Sequence, residues 1–147
     1  MKDMPRVYVA GRYSSDKILE VFANMRKGMR KSTELLVRGY APFCPWLDYQ
    51  YSLMLQGDEQ IDVEKYYHYS LAWLEVSDAM LVLPGWEGSK GVTAEIALAE
   101  LCGIPVFYDE ETLFDYYETN KTTMAEILNV ESIPDAEITN DTNTTQS

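Results

Sequence analysis

AMLVLPGWEGSKGVTAEIALAELCGIPVFY, residues 79–108, reads as strand, loop, helix and strand in direct succession. Ala79 to Leu83 is a near-continuous apolar run, the pattern of a parallel strand covered on both faces. PGWEGSKG is a loop with three glycines. Val92 to Cys102 is a helix stopped by Gly103, and Ile104 to Tyr108 is a further strand. Upstream, RVYVA at 6–10 is a β-rich run ended by Gly11. Residues 16–38 form a helix, with Asp16 or Ser15 as its cap, Gly39 as its stop, and Ile18, Val21, Phe22, Met25, Met29 and Leu36 as its apolar positions. Tyr40 to Cys44 is a second strand closed off by Pro45. Residues 45–60 are irregular and aromatic, and Ile61 to Ser77 is helical with Tyr67, Leu71 and Leu74 on one face. Glu111 to Val130 holds one or two short helices. This alternation predicts an α/β fold: a doubly wound, Rossmann- or flavodoxin-like parallel sheet of about four or five strands with helices on both faces. Residues 1–130 form that domain, and the polar stretch 131–147 is expected to be a disordered tail.

The chain has 147 residues, 24 of them acidic and 12 basic, for a formal net charge of -12. A nucleic-acid groove or an anionic membrane surface needs clustered Lys and Arg, so neither is expected as a partner. Hydrophobic residues make up 46% of the chain, enough to build a core without metal or disulfide. Cys44 and Cys102 lie far apart and are expected to be partly buried free thiols. No spacing suggests a metal site and no cofactor is implied. No stretch resembles a secretory leader or a bilayer span, so the default location is the cytoplasm.

Ligands of parallel sheets sit at the carboxyl ends of the strands. Two loops therefore stand out, Gly11 to Ser15 and Pro84 to Gly91. In the second, free amides at a helix start can take a phosphate around Ser89 and Gly91 and also favour ionised Glu95. The alternative stays open that Gly85, Gly88 and Gly91 only make turns and that Glu95 merely suits the helix dipole.

Three segments carry a resemblance: VYVAG at 7–11, WLEVSDAMLVLPGW at 73–86 and SKGVTAEIALAELCGIPV at 89–106. Their order and spacing over roughly residues 6–108 resemble the nucleoside 2-deoxyribosyltransferase-like proteins, especially a small phage and bacterial branch near the nucleoside 5'-monophosphate N-glycosidases. The resemblance implies that Glu95 is the nucleophile that attacks the anomeric carbon and that Tyr8 orients it. Ser89 stands where transferases of free nucleosides carry an aspartate for the sugar hydroxyl. With Gly91 it looks like the phosphate-binding form, with Gly11, Arg12 and Lys90 in support. The resemblance also implies a homo-oligomer, dimer or higher, whose sites are completed by a neighbouring subunit.

Two positions depart from that pattern. Ser70 replaces an aspartate thought to assist departure of the base, and a serine is no general acid near neutral pH. Asp48 and His68 are conceivable substitutes. Arg12 stands where relatives often have proline. The aromatic residues Trp46, Tyr49, Tyr51, Tyr66, Tyr67 and Tyr69, with Trp86, can stack on a base or serve as core and interface packing. Asp78 reads as a structural helix-end residue. Three readings follow: a nucleotide N-glycosidase, a deoxyribosyltransferase, and a protein that binds or sequesters a nucleotide without turning it over. A cytokinin-activating type of phosphoribohydrolase is a more distant fourth.

Overall fold

Strand β1 (Arg6–Ala10) sits at the centre of the molecule, and its alternating side chains define two cores. The computed structural model describes residues 4–128. Val7 and Val9 point to one face of the sheet, among Leu35, Trp46, Phe107 and Leu113. Tyr8 and Ala10 point to the other, among Leu74, Val92, Ile96 and Ala99. β2 (Ala41–Phe43), β3 (Ala79–Val82) and β4 (Val106–Phe107) complete a sheet of order β2-β1-β3-β4. All pairings are parallel: Tyr8 is in register with Phe43 on one side and Met80 on the other, and Leu81 with Phe107. Every residue of β3 is buried, as its apolar run requires. β2 contains Pro42, which lacks an amide to donate, and it occupies a sheet edge.

The helices are α1 (Ile18–Val37), α2 (Tyr49–Leu53), α3 (Val63–Glu75), α4 (Lys90–Leu101) and α5 (Glu110–Leu128). Helices cover both faces, so the fold is the doubly wound α/β arrangement that the alternation predicted. The chain leaves β1 in one lateral direction to reach β2 and returns past it to β3. The crevice between β1 and β3 is the switch point, where the loops after both strands diverge.

Several local expectations are corrected. α1 begins at Ile18 with Lys17 as its cap residue and no side-chain cap. Ser15 instead accepts from the Lys17 amide and donates to Glu20, and Asp16 is not the cap. The buried line of α1 is Gly28, Ser32 and Leu35, with Met25 and Met29 partly covered, whereas Ile18, Phe22 and Leu36 are exposed. The reason is Trp46, whose buried indole lies so close over Gly28 that a Cβ there would fall 2.1 Å from the ring. The aromatic stretch after β2 is not irregular throughout: Pro45–Leu47 is a 3-10 turn and α2 follows it. On α3, capped by Asp62, the buried positions are Ser70 and Leu74, while Tyr67 is exposed at the cavity described below. Of the two possibilities left open for the last helical stretch, α5 is one helix as far as the described residues go, and at 19 residues it is not short. Cys44 is buried but Cys102 is exposed, and both are free. Asp78 does serve structure, since it accepts from the Arg6 amide and guanidinium and so ties the start of β3 to β1. Among the described residues no helix is long and apolar enough to cross a membrane. The proposed tail, 131–147, lies outside the described residues.

Candidate functional site

Because alternation along β1 sends Tyr8 toward α4, its phenol meets the second turn of that helix. Tyr8 Oη donates to Glu95 Oε1 at 2.6 Å. Tyr8 is fully buried and Glu95 lies in front of it, at the wall of a cavity of about 830 Å³. Pockets for small molecules fall in the range of roughly 300–1,000 Å³. Burial pushes the Glu95 carboxyl up to about 7, and the Tyr8 hydrogen bond acts against that rise. The Tyr8 phenol is held well above its ordinary value, first by burial and then by the Glu95 charge. The buried Ser70 hydroxyl, at the same cavity, acts on that phenol in the opposite direction. Near neutrality Glu95 therefore exists in both protonation states beside a phenol that keeps its proton.

A second carboxyl faces the same cavity. Asp48, which ends the 3-10 turn, accepts from Tyr13 Oη at 3.2 Å. Burial raises the Asp48 carboxyl, partly offset by the bonds from Tyr13 and the Tyr49 amide. The Asp48 charge also reaches Tyr8, which places the two tyrosine–carboxyl pairs in one electrostatic neighbourhood. Trp46 forms part of the wall and donates from Nε1 to the Arg12 carbonyl at 3.3 Å. Gly11 has no Cβ because one would meet the same indole at 3.0 Å.

The third side of the cavity is the start of α4. Ser89 is its cap residue and accepts from the Val92 amide, while the Thr93 amide bonds to the Ser89 carbonyl. The Lys90 and Gly91 amides lie in the first turn, where no intrahelical carbonyl is in reach. Arg12 donates from Nη2 to the Glu87 carbonyl at 3.1 Å, bracing the first loop against the second. Gly88, at φ +81, takes the left-handed backbone that turns the chain into the helix.

Of the residues expected at a site, Glu95, Asp48, Gly11, Arg12, Ser89 and Gly91 line this one cavity, and Tyr8 lies directly behind it. Trp86 does not line it; the indole packs on the core beside α4 and against Tyr108 at 5.9 Å. His68 is on the exposed side of α3 and is not at the cavity. The aromatic group divides in the same way. Trp46, Tyr49, Tyr66 and Tyr67 line the cavity, whereas Tyr51 and Tyr69 pair edge to face at 5.5 Å and continue into Phe43 and Trp73. Sequence reasoning missed Tyr13, although it lies in one of the two loops singled out, because its partner is 35 residues away. It also missed Ser52 and Val63.

Residues 5–109 match the model of a family described as a domain of unknown function, DUF7768. The chain belongs to that family. The match runs from the residue before β1 to just beyond β4, so in this DUF7768 member it contains the whole sheet and every cavity residue named above. Comparison with the curated proteins finds no match.

Proposed function

We propose that this DUF7768 protein cleaves the N-glycosidic bond of a nucleoside or deoxynucleoside 5'-monophosphate, with Glu95 as nucleophile. The observation that carries the reading is the 2.6 Å bond from Tyr8 to Glu95 at the wall of the cavity that also contains the start of α4. Tyr8 fixes one carboxylate oxygen, leaving the other to approach the anomeric carbon. Ser89, the Lys90 and Gly91 amides, and the Arg12 and Lys90 cations suit the phosphate. In the first step a carboxylate oxygen of Glu95 bonds to the anomeric carbon as the carbon–nitrogen bond breaks, its electron pair leaving with the base. Asp48 gives its proton to that base, the role that Ser70 cannot fill. In the second step water attacks the same carbon, the Glu95 ester bond breaks, and the water's proton returns to Asp48. This is the two-step logic of a retaining glycosidase, and it needs no cofactor. If a second base outcompetes water, the same intermediate yields a transferase. A homo-oligomer with a composite site belongs to the reading, supported by exposed Ile18, Leu19 and Phe22 beside the loop that lines the cavity.

One observation favours a second reading, binding without turnover: the α3 residue at the cavity beside Tyr8 and Glu95 is a serine rather than an acid. Incubation with a panel of nucleoside 5'-monophosphates separates the two. Hydrolysis predicts free base and pentose 5-phosphate from at least one of them, and none from Glu95→Ala. Tight binding with the nucleotide recovered intact means sequestration instead.

A further inference from the structure

We infer that Tyr13 is the positioning residue of Asp48, holding that carboxyl at the cavity so that its proton reaches the departing base. The inference rests on the proposed hydrolysis for its chemistry and on the loop geometry for its residue. Tyr13 lies in the connection between β1 and α1, and that connection is tied on both sides. Trp46 Nε1 donates to the Arg12 carbonyl at 3.3 Å, and Asn24 Nδ2 of α1 donates to the Tyr13 carbonyl at 3.2 Å. Asp48 is equally fixed, since its amide bonds to the Pro45 carbonyl and its carbonyl accepts from the Tyr51 amide, both at 3.0 Å. Two rigid backbones thus present Tyr13 Oη and Asp48 Oδ1 to each other at 3.2 Å, within the cavity wall.

The surroundings of Asp48 favour the protonated carboxyl. Tyr8 from β1, Tyr13 from the loop, Cys44 before the 3-10 turn and Tyr69 from α3 bear on this neighbourhood, each with its proton held more firmly by burial, and the Tyr49 amide of α2 bonds to the carboxyl. Tyr66 of α3 bears on Tyr13. The charged groups that share the cavity are Arg12, bonded to the Glu87 carbonyl, Asp16 on the same loop, and Lys90 and Glu95 of α4. Tyr13 opposes the effect of burial: its hydroxyl stabilises the carboxylate left behind when the proton departs. It therefore acts through Asp48 rather than on substrate.

The test uses the full-length chain labelled with 13C at aspartate carboxyl and tyrosine Cζ carbons, titrated by NMR, alongside the pH profile of base release. Asp48→Asn identifies the Asp48 resonance. In the wild type that resonance is expected to titrate above the ordinary aspartate range, with the Tyr13 Cζ resonance moving at the same midpoint. Tyr13→Phe is expected to raise the midpoint further, to displace the Asp48-controlled limb of the profile to higher pH, and to lower kcat about tenfold with little change in KM. An unmoved Asp48 midpoint in Tyr13→Phe, or a Tyr13 resonance indifferent to Asp48, overturns the inference even if base is released. Coupled titrations with no base released from any nucleotide leave the pair standing and remove the hydrolase instead.

Discussion

At the scale of the residue, Glu95 carries a cost that can be measured without any substrate. An unfolded glutamate ionises near 4.5, and this one is pushed up to about 7. Because the folded value is the higher, the stabilising effect of its proton is complete below about 4.5 and is lost as the pH rises through about 7. The difference corresponds to roughly 3 kcal/mol. Glu95→Gln keeps an acceptor for Tyr8 but cannot ionise. In urea denaturation it is expected to be more stable than the wild type at pH 8, by up to that amount, with the gap closing near pH 4.5. Equal stability at pH 8 would mean that the carboxyl is better solvated than its position implies.

Ser89 offers a second residue-scale prediction. Serine and aspartate cap helices about equally well, so Ser89→Asp leaves α4 intact. Its charge would face the phosphate, and KM for a nucleoside 5'-monophosphate should rise roughly tenfold to a hundredfold. KM for the unphosphorylated nucleoside should change far less. Parallel kinetics on the two substrates read this out, and an equal change in both argues against phosphate at the start of α4. Glu95, Tyr8 and Ser89 were legible as candidates because local motifs surround each one. The bond between Tyr13 and Asp48 was not, because it depends on where the turn after β2 carries the chain.

At the scale of the element, α1 shows what periodicity conveys and what it omits. Apolar spacing located the helix to within a few residues but found its buried face only in part: Met25 and Met29 pack against the core, whereas Ile18, Phe22 and Leu36 are exposed. The centre of that face is Gly28 and Ser32, small residues that make room for a tryptophan from another element. Alanine in a helix interior is ordinarily about 1 kcal/mol better than glycine. Gly28→Ala should reverse that sign, because the new methyl would meet the Trp46 ring at 2.1 Å. Overpacking costs about 1–3 kcal/mol, and so close an approach belongs in the upper part of that range, about 2–3 kcal/mol, so after the helix gain a net loss of roughly 1–2 kcal/mol is expected by thermal or chemical denaturation. A neutral or stabilising Gly28→Ala would show that Trp46 yields easily and is no firm wall of the cavity.

At the scale of the whole molecule, the doubly wound topology was legible because short apolar β-rich runs alternate with helical patterns along the chain. Strand order was not, since no local pattern says that β1 lies between β2 and β3. That order is what joins the site, bringing the loops after β1 and β3 together at one crevice. The proposed oligomer belongs to this scale as well. Ile18 and Leu19 are 62% and 75% exposed at the start of α1, next to the cavity-lining loop. Sedimentation velocity should find a dimer or larger species at micromolar concentration, and Leu19→Glu should shift it toward monomer. A wild-type monomer at all concentrations would remove the composite site.

A covalent bond to Glu95 defines the proposed reaction, and rapid quenching during turnover of a nucleoside 5'-monophosphate, followed by peptide mass spectrometry, would detect it. A pentose-phosphate adduct is expected on the peptide containing Glu95 and absent in Glu95→Gln. An adduct on another residue, or base released by Glu95→Gln at the wild-type rate, would contradict it.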